Sequence, residues 1–188
     1  MDFLKYYFEQ HLTLSKDSFK LLCNCIEKVE LKSNTLIMEE GKPHPYIYII
    51  RKGIVRGFTL NDNGIEDTKS FWIENETFGD VKSYIANLPV SKSYLALENM
   101  IVYRVDKLKL RELFYLNVEL ANLGRLIIED FVFRSDIRQQ ILIEPKPIEK
   151  YLKFCKLRKG VHTRVQLKYV ASFLQITPET LSRIRSSF

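Results

Sequence analysis

Residues 167–184, LKYVASFLQITPETLSRI, carry the most informative pattern in the chain. Apolar residues recur here at the spacing of two short helices, with one small residue among them: Val170, Ala171, Leu174, Ile176, Leu181 and Ile184. Two helices that cross at a steep angle share a small core and need a small residue where they approach most closely. The stretch therefore predicts a helix-turn-helix, and a generic helical hairpin is the alternative interpretation.

The second helix of this motif is predicted to begin at Pro178. Thr177 is a suitable N-cap, proline is favoured at the first helical position, and Glu179 suits the first turn. Gln175 occupies the turn position where glycine is usual. A left-handed conformation there would cost a non-glycine residue about 1 kcal/mol, which the motif can tolerate.

The outward positions of the second helix carry groups that recognise DNA. If this helix enters a major groove, its N-terminal turns face the base edges. Arg183 can then bind guanine through two hydrogen bonds, and Glu179 can accept one from a cytosine amino group. The remaining predicted DNA contacts are Thr177, Thr180 and Ser182, together with Arg164, Lys168 and Arg185, of which the last three suit phosphates.

The charge of the chain is concentrated at this end. Residues 146–188 hold ten Lys and Arg against two Glu, whereas residues 1–145 hold 19 basic and 21 acidic side chains, so the net charges are +8 and −2. A near-neutral body joined to a basic end indicates a polyanion-binding domain attached to another domain. A solvated basic tail is the alternative that charge alone leaves open.

The body of the chain is predicted to be an antiparallel β domain preceded by helices. Residues 1–30 have helical periodicity. Short β-rich runs follow, separated by turn signals, a pattern typical of a sandwich or barrel. The predicted strands are Thr35–Met38, Tyr46–Arg51, Ile54–Leu60, Asp67–Ile73 and Ala96–Val105.

A single long helix is predicted over about residues 107–143. Its apolar seam is Leu120, Leu123, Ile127 and Phe131, widened by Ile128 and Val132. This face could pack along its own domain or along the same helix of a second copy, and we favour the second copy and hence a homodimer. The stretch Glu144–Pro147 ends the helix as a hinge, which divides the chain into domains 1–144 and 145–188.

Several classes of protein are excluded by what the sequence lacks. No run of 18 apolar residues and no signal peptide is present, and three cysteines suit a reduced compartment, so we expect a cytoplasmic protein without a membrane partner. The three histidines are scattered, so no metal site is predicted. A P-loop, a dinucleotide fingerprint and a nucleophile–base pair are all missing, so we predict no catalytic residues and no enzyme.

At these motifs the chain resembles the Crp/Fnr family of bacterial transcription regulators. PETLSRI (178–184) is similar to that family's recognition helix, and YIYIIRKGIVR (46–56) with FGD (78–80) is similar to its cyclic-nucleotide-binding sensor. The resemblance implies an α+β protein with an N-terminal antiparallel jelly roll (double-stranded β-helix), a dimerisation helix and a C-terminal helix-turn-helix. It also implies double-stranded DNA, RNA polymerase and a small-molecule effector as partners. Similar short members occur in Bacteroidetes-type bacteria.

The candidate ligand pocket departs from the family pattern for cyclic AMP. It comprises Gly79, Asp80, Ser91, Lys92 and Ser93. The acidic residue is shorter than the family's Glu, and the lysine is a point charge that cannot replace the bidentate arginine of the family. A cyclic nucleotide is therefore disfavoured as cofactor, and an unused pocket is also compatible with the sequence.

Two further departures bear on function. Cys23, Cys25 and Cys155 are too few and wrongly spaced for the iron–sulphur cluster that some members hold. The chain ends at Phe188, directly after the recognition helix, so part of the family's winged region is expected to be absent. The effector, the operator and the sign of regulation stay open, and the alternative function is a ligand-binding sensor whose basic end contacts protein or RNA.

Overall fold

A computed structural model describes residues 2–187. The first two helices are α1 (Asp2–Glu9) and α2 (Lys16–Cys23). The strands are β1 (Ile26–Leu31), β2 (Leu36–Met38), β3 (Tyr46–Lys52), β4 (Val55–Leu60), β5 (Glu66–Trp72), β6 (Thr77–Phe78), β7 (Ser93–Ala96) and β8 (Met100–Asp106). The other helices are α3 (Val81–Ala86), α4 (Lys107–Leu116), α5 (Val118–Ser135), α6 (Ile137–Leu142), α7 (Pro147–Leu157), α8 (Val161–Arg164), α9 (Leu167–Leu174) and α10 (Pro178–Arg185).

The strands form two antiparallel sheets of four strands each. Their orders are β1-β8-β3-β6 and β2-β7-β4-β5. Both sheets supply large apolar side chains to one buried cluster, for which Ile50, Val102 and Tyr94 are examples. The predicted mixture of helices with antiparallel sheets is therefore confirmed.

The predicted strand Ala96–Val105 is wrong, because this run is interrupted. β7 ends at Ala96 in one sheet, and β8 begins at Met100 in the other. The three residues between them carry the chain across, and the Asn99 side chain accepts a hydrogen bond of 3.0 Å from the Ser33 amide. An apolar run shows that a segment is buried but not that it stays in one sheet.

The helical prediction for residues 1–30 also fails at its end. The chain is already extended at Ile26, where β1 pairs with β8 from Ile26↔Val105 to Leu31↔Met100. Ile26, Val29 and Leu31 are half-buried while the residues between them are mostly exposed. Pairing with a strand whose residues lie 69 to 79 positions further along the chain decides this conformation, and no local pattern indicates it.

The single helix predicted over residues 107–143 is three helices. Asn117 separates α4 from α5 in an extended conformation (φ −139°, ψ 109°), and its side chain caps α5 by accepting from the Leu120 amide at 3.0 Å. At Asp136 the chain stays near helical angles, so the break before α6 is slight. Phe114 of α4 packs on Gly124 of α5 so closely that a Cβ there would lie 2.5 Å from the ring. The chain therefore folds back at Asn117 to bury Phe114.

The predicted apolar seam is divided between two environments. Leu120 and Leu123 are fully buried against the protein's own sheet, in a cluster with Ile49 and Val105. Assigning these two leucines to a second copy was therefore wrong, because the first sheet already covers them. The residues that stay exposed lie near the two ends of α5, and they are Tyr115, Leu116, Val118, Val132 and Phe133.

The C-terminal helices pack on the outer face of the second sheet. Phe154 of α7 and Phe173 of α9 surround Phe71 of β5, with ring centroids 5.3 to 6.2 Å apart. All three rings are buried. The C-terminal helices α7 to α10, called the helical end below, thus share one apolar core with the second sheet. They do so although α7 begins only after the proline segment that predicts a hinge. Among the described residues, no helix has the length and apolar character needed to cross a membrane.

Candidate nucleic-acid interface and ligand cavities

Helices α9 and α10 are joined by a three-residue turn that follows the sequence prediction closely. Gln175 takes a left-handed conformation (φ 56°, ψ 44°), and α10 begins at Pro178. The Thr177 hydroxyl accepts a hydrogen bond of 3.2 Å from the Thr180 amide and so caps the helix. Ala171 and Leu181 are almost completely buried between the helices. The start of the helix, its cap and the strained turn are confirmed.

Replacing Gln175 with glycine is expected to stabilise the protein by about 0.5–1 kcal/mol. The glycine relieves the left-handed strain, which outweighs its greater freedom in the unfolded chain. The Gln175 side chain is exposed, so no packing is lost. Urea unfolding measures the effect, and Gln175→Ala is the control because alanine keeps the strain. A glycine variant no more stable than the alanine variant would contradict this account of the turn.

Most predicted DNA contacts lie on one exposed surface. Thr177, Glu179, Ser182, Arg183, Arg185 and Lys168 are all exposed, and Thr180 is half-buried beside its cap. Among the described residues Arg183 makes no ion pair. Hydrogen bonds from its own amide and from Thr177 lower the pKa of Glu179, which is therefore ionised at neutral pH. This surface presents acceptors and a free guanidinium to a partner.

Arg164 is the exception among these residues. Its guanidinium binds Glu74 with two hydrogen bonds of 2.9 and 2.7 Å and also pairs with Glu98, both of which belong to the β domain. The sequence prediction placed Arg164 on a phosphate. The structure instead engages it with two carboxylates, because α8 lies against the turns of the second sheet.

The Glu74 contact is expected to weaken in acid. Burial raises the pKa of Glu74, but hydrogen bonds from Arg164 and the Gly53 amide outweigh it and lower that pKa to about 2. Because the pKa of Glu74 is lower in the folded protein than the value near 4.5 in the unfolded chain, the ionised carboxylate stabilises the fold at any pH above 4.5. This stabilisation is lost as the pH falls towards 2. Glu74→Gln should therefore cost about 0.5–1 kcal/mol at pH 7, a value reduced for solvent screening, and less at pH 3.

Urea unfolding at pH 7 and pH 3 tests this expectation. Glu30→Gln serves as the control, since Glu30 is exposed and pairs only with neighbouring Lys28 among the described residues. A stability difference between wild type and Glu74→Gln that is the same at both pH values would show that Arg164 does not act on this carboxylate.

A buried ion triad joins the β domain to the helical end. Glu76 is 3% exposed, and its carboxylate binds Arg158, which directly follows α7, at 2.5 Å and Arg134 of α5 at 3.1 Å. Nearby, the Thr68 amide of β5 donates to the Ser172 hydroxyl of α9 at 2.9 Å. Sequence reasoning missed this triad, because its members lie up to 82 positions apart and share no local motif.

Of the residues predicted to bind a ligand, Asp80 is engaged within the fold. It caps α3 by accepting from the Ser83 amide at 2.9 Å, and it also accepts from the amide and hydroxyl of Ser91 at 2.8 and 2.5 Å. These bonds outweigh burial and lower the pKa of Asp80. The carboxylate thus has partners for both oxygens, and it connects Ser91 of the loop that follows α3 to the start of that helix.

The other predicted ligand residues are dispersed. The Ser93 hydroxyl accepts from the Glu40 amide at 3.0 Å, and the Gly79 carbonyl accepts from Tyr94 at 2.8 Å. The Lys92 ammonium lies 5.6 Å from the centroid of the Trp72 ring. The structure does not gather the five predicted residues around one cavity, and ligand binding by them stays a prediction.

The interior between the sheets is filled by aromatic side chains. Tyr48 stacks on Phe78 at 4.9 Å, and Trp72 stacks on Tyr94 at 5.2 Å. These rings are buried and form part of the apolar core between the two sheets. A ligand is therefore expected at the margins of the sheets.

Two cavities lie at those margins. The first, of about 80 Å³, is apolar and lies between β3, α4 and α5, with Gly79 and Asp80 at its edge. The second, of about 110 Å³, lies where β5, α5, α6, α7 and α9 meet, and we call it the junction cavity. Lys92 borders the junction cavity, whereas Ser91 and Ser93 border neither.

The cysteines and histidines offer little chemistry. The three cysteines are free thiols, and burial raises the pKa of Cys25 to about 11. In residues 2–187 no group of three His, Cys, Asp or Glu side chains is placed to hold a metal ion.

Comparison with known proteins places these features in context. Residues 28–116 match the family model of the cyclic nucleotide-binding domain. The structure of FixK2 from Bradyrhizobium japonicum matches with a TM-score of 0.72 at 18% identity, covering 86% of this chain and 83% of that one. The c-di-GMP-responsive global regulator CLP of Xanthomonas campestris matches with a TM-score of 0.70 at 13% identity, covering 92% and 91%.

A third solved structure extends the likeness over most of the chain. It is the catabolite activator protein of Thermus thermophilus, with a TM-score of 0.53 at 20% identity, covering 93% of this chain and 83% of that one. At these identities the likeness shows a shared fold. The chain therefore has a segment matching the cyclic nucleotide-binding domain and the overall fold of these regulators.

Proposed function

We propose that this protein is a dimeric, sequence-specific DNA-binding transcription regulator of the Crp/Fnr type. The observation that carries the proposal is the α9–α10 pair. Its left-handed turn at Gln175 and its Thr177 cap support a helix-turn-helix, and its second helix exposes Glu179, Ser182 and Arg183 to solvent. The matched sensor segment and the shared fold support the same conclusion.

The mechanism follows from the position of α10. Its N-terminal turn would lie in the major groove, with Glu179 and Arg183 at the base edges. Lys168 and Arg185 are exposed on the flanks of the helix pair, where they would bind phosphates. Arg164 joins them only if its contact with Glu74 and Glu98 opens.

Dimerisation is proposed along α4 and α5. Val118 and Val132 are 86% and 57% exposed, and 14 residues of helix bring them to the same side. Tyr115, Leu116 and Phe133 extend this exposed apolar surface. A two-fold pair would set the two recognition helices about 34–36 Å apart, one turn of DNA, and would therefore require a palindromic site.

The sensor domain is proposed to respond to an effector other than cyclic AMP. Asp80 accepts hydrogen bonds from Ser83 and Ser91, and the Lys92 ammonium lies 5.6 Å from the centroid of the Trp72 ring. The effector would act by shifting the populations of two domain arrangements. The contact with RNA polymerase, the sign of regulation and the cytoplasmic location stay predictions.

Selection from a random duplex DNA pool tests the proposal. The full chain should enrich sequences with a two-fold symmetric consensus, and log Kd should change linearly with log salt. Failure to enrich any sequence at moderate salt would refute it. Binding to RNA or to an acidic protein, without preference for a duplex, would instead favour a sensor module with a basic contact surface.

A further inference from the structure

Five cationic side chains converge on the junction cavity from both halves of the chain. They are Lys69 of β5, Lys92 of the loop before β7, Arg134 of α5, Arg138 of α6 and Arg158, which directly follows α7. Three of these lie beyond residue 116 and so outside the segment that matches the cyclic nucleotide-binding domain. The cavity is thus built by the meeting of two structural parts.

The carboxylates nearby do not balance this charge. Asp67 pairs with Lys69 and lies 3.7 Å from Arg138. Glu76 neutralises part of the charge of Arg158 and Arg134, and Asp130 binds Arg134 at 2.6 Å. The five cations and the three carboxylates that pair with them leave two positive charges without a paired carboxylate, and Asp80, which does not line the cavity, attracts Lys92 from a greater distance.

Two of the cations lack a full set of partners. Among the described residues no carboxylate lies within 4 Å of the Lys92 ammonium, and burial lowers its pKa. Arg138 is 18% exposed, and its Nη2 atom is buried without a hydrogen-bond partner. Buried charged groups without partners are unfavourable, so an anion that reached both would relieve that cost.

We propose that the junction cavity binds a compact dianion, a small molecule that carries two negative charges on oxygen atoms. A dianion matches the surplus charge, and about 110 Å³ exceeds the space that one water needs by roughly tenfold. The chemistry is shared by a phosphate monoester and a small dicarboxylate. Arg138 suits two-point binding of either group, and Lys92 supplies a point charge.

The position of the site has a consequence for regulation. A bound anion would link Lys69 and Lys92 of the β domain and Arg138 of α6 to Arg158 among the C-terminal helices. It would thereby favour the arrangement in which the two parts are packed together. Only this consequence rests on the proposed DNA-binding function; the binding site itself does not.

Tryptophan fluorescence gives a direct test, because Trp72 is the sole tryptophan and borders the cavity. The full chain is titrated with inorganic phosphate and, separately, with malonate at constant ionic strength. A saturable change in fluorescence is expected for at least one of them. Lys92→Gln and Arg138→Gln should each weaken that binding about tenfold or more, because each removes a charge-assisted hydrogen bond. Lys156→Gln, on the exposed surface of α7, is the matched control and should leave anion binding unchanged.

The outcomes separate the hypotheses. No saturable signal with either dianion, or an equal loss in Lys156→Gln, would overturn the site. Cyclic AMP, which carries one charge, is the third titrant, and tighter binding of it than of both dianions would also overturn the proposal. Lys92 lies in a loop, so its variant keeps the test valid if Arg138→Gln fails to fold. DNA selection is measured separately, so its failure leaves the anion result intact.

Discussion

Replacing Glu76 with glutamine is expected to destabilise the protein by about 3–5 kcal/mol. The substitution keeps the size of the side chain, removes its charge and replaces one of the two oxygens that accept from Arg158, Arg134 and the Ile73 amide. Arg158, whose side chain is 6% exposed, then remains buried with no carboxylate to compensate it. Breaking a buried ion pair from one side is costly because the remaining charge stays desolvated. Arg134 is 41% exposed and can recover solvent, so most of the loss arises at Arg158.

Urea unfolding of the full chain measures this effect. Glu129→Gln is the matched control, because Glu129 pairs with Arg125 on the exposed side of α5 and should change stability by no more than about 0.5 kcal/mol. Adding Arg158→Met to Glu76→Gln should restore much of the loss, since the double variant no longer buries the unpaired charge of Arg158. A loss below about 1 kcal/mol for Glu76→Gln would show that the triad is effectively solvated.

Replacing Arg183 with alanine is expected to cost about 1–3 kcal/mol of binding free energy in each half-site. A symmetric dimer uses two such residues, so the total effect doubles. Arg183 is exposed and makes no ion pair among the described residues, so its removal should leave the fold intact. The loss should be confined to one base pair per half-site, where the variant no longer discriminates among bases.

A comparison with Arg185→Ala distinguishes base recognition from general attraction. Arg185 is predicted to bind phosphate, so its variant should weaken binding to all sequences and reduce the salt dependence, with no change in consensus. Selection and titration with both variants provide the measurement. If Arg183→Ala weakened every sequence equally, Arg183 would be a phosphate contact, and the orientation of α10 in the groove would need revision.

Local chemistry made the C-terminal motif predictable. The helix start at Pro178, the Thr177 cap and the left-handed Gln175 all depend on residues within four positions of one another. Capping and turn geometry act over that range, so a single sequence is enough to place them. The predicted strands that were confirmed, such as β3 and β5, likewise show their burial in adjacent residues.

The errors lie where distant segments compete. Helical periodicity over residues 107–143 did not show that Asn117 would interrupt it, because the reversal is driven by Phe114 packing on Gly124. The apolar run from Ala96 to Val105 did not show the crossing from one sheet to the other. In both cases, the local pattern records which residues are buried and leaves their partners undetermined.

The sequence by itself determined the mixed fold, the basic end and the helix pair with its exposed polar residues. Only the tertiary structure decided that Arg164 contacts Glu74, that Asp80 accepts hydrogen bonds from Ser91, and that Glu76 forms an ion pair with Arg158. It also gathered the cations of the junction cavity from positions 69 to 158. The physical reason is the sequence separation of the interacting residues. Caps and turns involve residues a few positions apart, whereas charge compensation in a buried site depends on segments that meet only after the chain has folded.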